Sequence, residues 1–179
     1  MTVPADVNLR DYIGEIPDFP KPGILFRDIT PLLACPRAFR QAIQQLAERV
    51  RERQVEVIVA AEARGFLLAA PLALELGVSL VPIRKPGKLP GAVASHTYEL
   101  EYGQDTLQIR TDAIRPGARV LVVDDLLATG GTVGACCRLV EKIGGNVVGC
   151  AFLIELAGLE GAKRIATYDP VVLIRYDGC

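Results

Sequence analysis

The stretch from Val120 to Thr132 reads Val-Leu-Val-Val-Asp-Asp-Leu-Leu-Ala-Thr-Gly-Gly-Thr, and it concentrates this chain's chemistry. Val120 to Val123 have the composition of a buried strand, which runs into two carboxylates, Asp124 and Asp125. The small residues Ala128, Thr129, Gly130, Gly131 and Thr132 then open an apolar pattern over 133–143 that predicts a helix. A small-residue turn at a helix N-terminus aims backbone N–H groups at one point and suits a phosphate. Thr129 and Thr132 offer hydroxyl donors to the same anion, and the neighbouring carboxylates are the acceptors that sugar hydroxyls need. One ligand with a terminal phosphate and free ribose hydroxyls satisfies both halves. No Lys follows Gly131, as a P-loop requires, and the Gly-x-Gly-x-x-Gly spacing of dinucleotide sites is absent. Successive strand residues face opposite ways, so both acids reach one ribose only if the strand ends by Asp124, which is the expectation. Taken alone, the run also fits a Gly-rich turn behind a buried strand whose acids cap and solvate it.

The elements around it must bring further groups to the same place. Pro17, Pro20 and Pro22, with Phe19 and Gly23, predict an extended, irregular N-terminal segment. Pro36 starts a helix whose apolar residues Phe39, Ile43, Leu46 and Val50 recur at helical spacing to about residue 53. Residues 55–61 read as a buried strand, 66–76 as a helix closed by Gly77, and 78–83 as the next strand. A long polar stretch over 84–105 reads as a loop, and 107–110 as a short edge strand. Apolar runs at 147–154 and 171–174 complete the pattern. Alternating strands and helices predict an α/β fold whose mainly parallel, twisted sheet carries helices on both faces. Ligands of such sheets collect beyond the carboxyl ends of the strands, which is where Asp124 to Thr132 falls.

Two more segments carry usable groups. Glu62-Ala63-Arg64-Gly65-Phe66 sits at a strand end, where Gly65 permits close backbone approach and Arg64 can meet an oxyanion. Arg84, Lys85 and Lys88 place three cations within five residues, suited to a polyphosphate or, alternatively, to a solvated basic face. The stretch over 89–105 is long for a connection, and such loops tend to be lids. His96, the chain's lone imidazole, reads as a surface loop residue.

At 179 residues, half of them hydrophobic and with a net charge of −1, the chain reads as one soluble domain. That balance gives no electrostatic case for nucleic acid or an anionic membrane. No apolar run approaches the roughly 20 residues that span a bilayer, and Met1 to Asp6 lack a signal-peptide pattern. The five cysteines form no Cys-x-x-Cys pair and read as reduced thiols, so the expected location is cytoplasmic and no protein-built metal site is expected.

The run over 120–132 resembles the 5-phosphoribosyl-1-diphosphate (PRPP) loop of type I phosphoribosyltransferases. Phe19-Pro-Lys-Pro-Gly-Ile-Leu-Phe-Arg-Asp-Ile29, Ala63-Arg-Gly-Phe66, Ile83-Arg-Lys-Pro-Gly-Lys-Leu-Pro90, Tyr98-Glu-Leu-Glu-Tyr-Gly103 and Ile154-Glu-Leu156 narrow the likeness to the adenine phosphoribosyltransferase family, from about residue 17 to 160. The resemblance implies a type I phosphoribosyltransferase fold over 1–179, with residues 1–34 contributing to a small base-binding hood and with a flexible catalytic loop. It implies transfer of phosphoribose from PRPP to adenine with Mg²⁺, giving AMP and diphosphate, and a homodimer. Asp124, Asp125 and Ala128 to Thr132 would hold the ribose and 5-phosphate. Ala63, Arg64, Gly65, Lys85, Lys88 and Tyr102 would meet diphosphate, and Leu25, Phe26, Arg27 and Leu156 the adenine. Glu101 would be the catalytic acid/base at the purine. Many family members carry Asp-Ser where this chain has Glu62-Ala63, so only backbone contacts carry over to Ala63. Two other readings share the motifs, namely a phosphoribosyltransferase for another purine and a PRPP-sensing regulator that binds nucleic acid.

Overall fold

Apolar strands flanked by amphipathic helices need cover on two faces, and the chain supplies it in the computed structural model, which describes residues 7–99 and 103–178. In chain order the elements are β1 (Gly14–Pro17), β2 (Leu25–Asp28), α1 (Thr30–Ala34), α2 (Pro36–Val50), β3 (Val57–Ala61), α3 (Arg64–Leu76) and β4 (Ser79–Ile83). There follow β5 (Val93–Glu99), β6 (Gln104–Arg110), β7 (Arg119–Leu127), α4 (Gly131–Lys142), β8 (Asn146–Leu156), α5 (Gly161–Arg164) and β9 (Pro170–Tyr176). Five strands form one parallel sheet in the order β4-β3-β7-β8-β9. The expected parallel, helix-covered sheet is therefore what forms.

Strand alternation assigns each side chain to a face. Leu121 and Val123 of β7 and Leu153 of β8 pack with Leu46 of α2 and Leu68 and Leu72 of α3. Val120, Val122 and Phe152 point the other way, against Leu139 and Val140 of α4 and Leu107 and Ile109 of β6. Burying each such side chain stabilises by about 1.5–3 kcal/mol. Helix α2 follows the expected spacing: Ile43, Leu46 and Val50 are buried, and a 3-10 turn, Arg51–Arg53, extends it to the expected end. Gly77, at φ 67°, ends α3 in the left-handed conformation that only glycine adopts without strain.

Two expectations need correction. The stretch over 84–105 is not a long irregular loop. Its residues 93–99 are β5, which pairs antiparallel with β6 from Val93↔Arg110 to Glu99↔Gln104. Its polar residues are cross-strand partners, as where the Thr97 and Thr106 hydroxyls meet at 2.9 Å. Residues 107–110 belong to this hairpin rather than to an edge of the main sheet, which they touch through the Arg84↔Gln108 bridge. His96 is half-buried in β5, opposite Leu107. The second correction concerns β7, which does not stop at Asp124 but runs on to Leu127. The eleven-residue β8 keeps offering partners, through Leu126↔Ile154 and Leu127↔Glu155. The N-terminal segment 14–28 is a small antiparallel pair, β1 with β2, around the proline-rich turn.

Candidate active site

β7 outruns its neighbour. Its pairing with β3 ends at Ala60↔Val123, whereas its pairing with β8 continues to Leu127. Residues 124–127 thus have β8 on one side and a notch on the other. A cavity of about 510 Å³ fills that notch, lined by residues 62–64 and 124–133. Because the cavity lies beyond the end of β3, it meets both faces of β7, and Asp124 and Asp125 both line it although they point opposite ways along the strand.

The loop over 128–132 turns into α4 through Gly130, at φ 78°. Gly134 donates the first intrahelical bond, to the Gly130 carbonyl at 3.0 Å, so the N–H groups of Gly131, Thr132 and Val133 precede it and lack helical acceptors. No side chain caps this helix. Those donors, together with the helix dipole, face a cavity that they line. The Thr132 hydroxyl also lies 3.3 Å from that of Tyr98 on β5, and burial raises the Tyr98 pKa.

Each carboxylate at the cavity has a distinct environment. Asp125 is 4% exposed, and its Oδ2 forms an ion pair with Arg64 Nε at 2.8 Å. Asp124 Oδ1 accepts the Asp125 N–H at 2.9 Å. Burial, followed by the adjacent Asp125 charge, raises the Asp124 carboxyl well above the ordinary range. A β-carbon added to Gly65 would lie 3.0 Å from that same Oδ1, so glycine there lets α3 close on the acid. Glu62 accepts from the Lys85 N–H at 2.6 Å and from Arg84 Nε at 2.8 Å. The Lys85 N–H, Arg84 and the Lys88 charge hold its carboxyl below the usual range.

The basic segment thus sits one hydrogen bond behind the cavity lining. Lys85 and Lys88 are exposed and do not line the cavity, and Lys85 Nζ pairs with Asp105 Oδ2 at 3.2 Å. Arg84 is engaged by Glu62. Arg64 joins two regions, because it also lines a second pocket of about 400 Å³ with Phe19, Phe26 and Leu67, and its guanidinium lies 5.4 Å from the Phe26 ring centroid. Phe19 meets Phe26 edge to face at 5.1 Å.

Arg27 also lines this second pocket. Its guanidinium stacks 3.8 Å over the Tyr176 ring and pairs with Glu15, so its backbone rather than its side chain remains for a base. Leu25 and Leu156 line neither pocket, and Leu156 ends β8 packed against the α2/α3 core. Glu101 and Tyr102 lie outside the described residues. Sequence reasoning missed Glu62 as the clamp of the basic segment, and Leu126 as part of the lining. Glu62 and Arg84 are 22 residues apart, with no periodicity linking them, whereas a longer β7 would have placed Leu126 in the notch.

Among the described residues, no group of three or more His, Cys, Asp or Glu gathers as a metal site. The Asp124–Asp125 pair does match the one or two carboxylates that Mg²⁺ takes when phosphate oxygens supply its other ligands. No helix among the described residues is long and apolar enough to cross a membrane.

Comparison with known proteins shows the family and its fold. The family model for the phosphoribosyl transferase domain matches residues 29–175. Adenine phosphoribosyltransferase of Desulfitobacterium hafniense (strain Y51) is 59% identical over 165 residues, covering 92% of this chain and 95% of the relative. The crystal structure of adenine phosphoribosyltransferase from Thermoanaerobacter pseudethanolicus superimposes with a TM-score of 0.92 at 53% identity, covering 94% of this chain and 98% of that one. The Saccharomyces cerevisiae enzyme of that name, complexed with D-2,5-dideoxy-2,5-imino-altritol 1,6-bisphosphate and adenine, gives a TM-score of 0.87 at 40% identity over 92% of this chain and 96% of that one.

Proposed function

The chain belongs to the adenine phosphoribosyltransferases of the phosphoribosyl transferase domain family, and from that membership we propose that it converts adenine and PRPP to AMP and diphosphate. One observation carries the reading: a single cavity of about 510 Å³ gathers the donor-rich turn 128–132 and the carboxylates Asp124 and Asp125. A phosphate and a ribose diol need those two sets of groups together.

In this reading the N–H groups of residues 130–133 and the hydroxyls of Thr129 and Thr132 grip the 5-phosphate, with Ala128 shaping the turn. Asp124 and Asp125 accept from the ribose hydroxyls. The C1–oxygen bond to diphosphate breaks, with the electron pair leaving on diphosphate, and a purine nitrogen lone pair forms the new bond to C1. Arg64, with the backbone of Ala63 and Gly65, and Lys85 and Lys88 stabilise the departing charge, as preorganised cations do. Mg²⁺ would be held by PRPP oxygens with Asp124 and Asp125 at hand. When bound, it neutralises charge developing on the diphosphate. The pairing of Arg64 with Asp125 implies that substrate displaces one ion pair to form its own.

The base is read as lying against Phe26 and the Arg27 backbone, which line the second pocket, while the roles of Leu25 and Leu156 and the contribution of residues 1–34 to a base-binding hood are taken from the family likeness alone. Backbone acceptors there favour the exocyclic amine of adenine over a 6-oxo purine, since a mismatch leaves buried polar groups unpaired. Glu101 shuttles the proton lost from the purine ring, and Tyr102 meets diphosphate, both roles taken from the family's loop. Closing that loop would exclude water from the glycosyl cation.

We also read the whole chain as one catalytic unit, paired as a homodimer and working in the cytoplasm. Exposed apolar side chains support pairing, Leu74 at 84% and Phe19 at 50% exposure among them. Free thiols at Cys35, Cys136, Cys137 and Cys150 support a reducing compartment. Steady-state assay of each purine base with PRPP tests the reaction. Turnover confined to adenine is expected, and turnover of hypoxanthine or guanine without adenine would overturn it.

A further inference from the structure

Behind the turn 128–132, on the side away from the cavity, the short helix α5 begins at Gly161. A β-carbon on Gly161 would lie 2.1 Å from the Ala128 carbonyl oxygen and 2.9 Å from the Gly130 nitrogen. Those neighbours are backbone, so no flexible side chain can move aside. The contact is reciprocal: a β-carbon on Gly130 would lie 3.0 Å from the Gly161 carbonyl oxygen and 3.4 Å from Ile165 Cγ2. Ile165 is 1% exposed and belongs to the core on the α4 face.

Two kinds of glycine meet here. Gly130 has φ 78° and needs glycine for its own backbone conformation. Gly161 is not among the positive-φ residues, so an alanine is compatible with its local backbone. What excludes a side chain there is the turn itself.

We propose that Gly161 is a positioning residue for the phosphoribosyl group: its bare backbone seats α5 against Ala128 and Gly130 and fixes the turn whose N–H groups meet the 5-phosphate. The inference rests on the reading of that turn as the phosphate cradle. Added volume at Gly161 must push the turn on the order of 1 Å toward the cavity to restore van der Waals separation. Hydrogen bonds weaken steeply with distance and angle, so a set of donors aimed at one anion loses most of its strength from such a shift. The base pocket lined by Phe26 does not include this turn, so adenine binding is untouched.

Gly161→Ala, assayed at steady state, is expected to raise the KM for PRPP at least about tenfold, with kcat and the KM for adenine within about twofold. Ile165→Ala removes the buttress without a collision, and it is expected to raise the PRPP KM alone by roughly three- to fivefold. It decides the matter if Gly161→Ala does not fold. A PRPP KM within about twofold of wild type in the folded variants, or equal losses for PRPP and adenine, would overturn the proposal. Thr132→Val run in parallel separates the two levels. If it leaves the PRPP KM unchanged, the cradle reading has failed. If it raises that KM while Gly161→Ala does not, the role of Gly161 alone has failed.

Discussion

Replacing Asp125 with asparagine separates binding from folding at one atom. The side chain is 5% exposed and forms an ion pair with Arg64 Nε at 2.8 Å, but the Arg64 side chain is 45% exposed. An ion pair half in water contributes about 1 kcal/mol or less, and asparagine keeps one acceptor for Arg64. Removing the charge also relieves its repulsion with Asp124. These terms nearly cancel, so the melting temperature should move by no more than roughly 2–4 °C, the shift that 1 kcal/mol gives in a domain of this size.

Ligand binding should respond more strongly. A hydrogen bond to a charged acceptor contributes about 1.5–3 kcal/mol, and the ribose hydroxyls lose that charge. The variant no longer has to break the Arg64–Asp125 pair, which returns up to about 1 kcal/mol. The net is a PRPP affinity about tenfold weaker, at 1.4 kcal/mol per decade. Titration calorimetry of PRPP, with differential scanning fluorimetry on the same samples, reads both quantities. An affinity within about twofold of wild type, or a melting temperature lowered by roughly 10 °C, would refute the reasoning.

Asp124→Asn should change how stability depends on pH. With its folded pKa raised above 3.8, Asp124 keeps a proton that the unfolded chain has lost, so it makes stability fall as pH rises through that window. Unfolding curves from about pH 4 upward should show the variant gaining on wild type, and parallel curves would remove the claim. Gly65→Ala places a β-carbon 3.0 Å from Asp124 Oδ1 and 3.2 Å from the Val123 carbonyl oxygen. It should cost about 1–3 kcal/mol in denaturant unfolding, and an unchanged midpoint and slope would show that α3 can yield there. Glu101→Gln should lower kcat by about 10²- to 10⁴-fold while PRPP affinity holds, and near-normal turnover would take the proton shuttle away from this residue.

The parts legible in the sequence were those with local causes. The strand and helix around Asp124 to Thr132 announced themselves through composition, and α2 through the spacing of Ile43, Leu46 and Val50. The hairpin was missed because β5 carries Ser95, His96, Thr97 and Glu99 among few apolar residues, so hydropathy resembled a loop, and cross-strand pairs such as His96↔Leu107 leave no trace in one strand's pattern. The length of β7 was misjudged for a related reason. Two acids look like the end of a buried strand, but strand length was set by β8, which pairs Leu127 with Glu155. The clamp of Glu62 on Arg84 and the seat of Gly161 on Ala128 are contacts between distant segments, so no local signal marked either.

A crystal structure of the chain soaked with AMP bears most directly on the central claim. The nucleotide phosphate should sit within hydrogen-bond reach of the N–H groups of residues 130–133, with its ribose hydroxyls on Asp124 and Asp125. Nucleotide bound elsewhere while those groups stay unengaged would contradict the account.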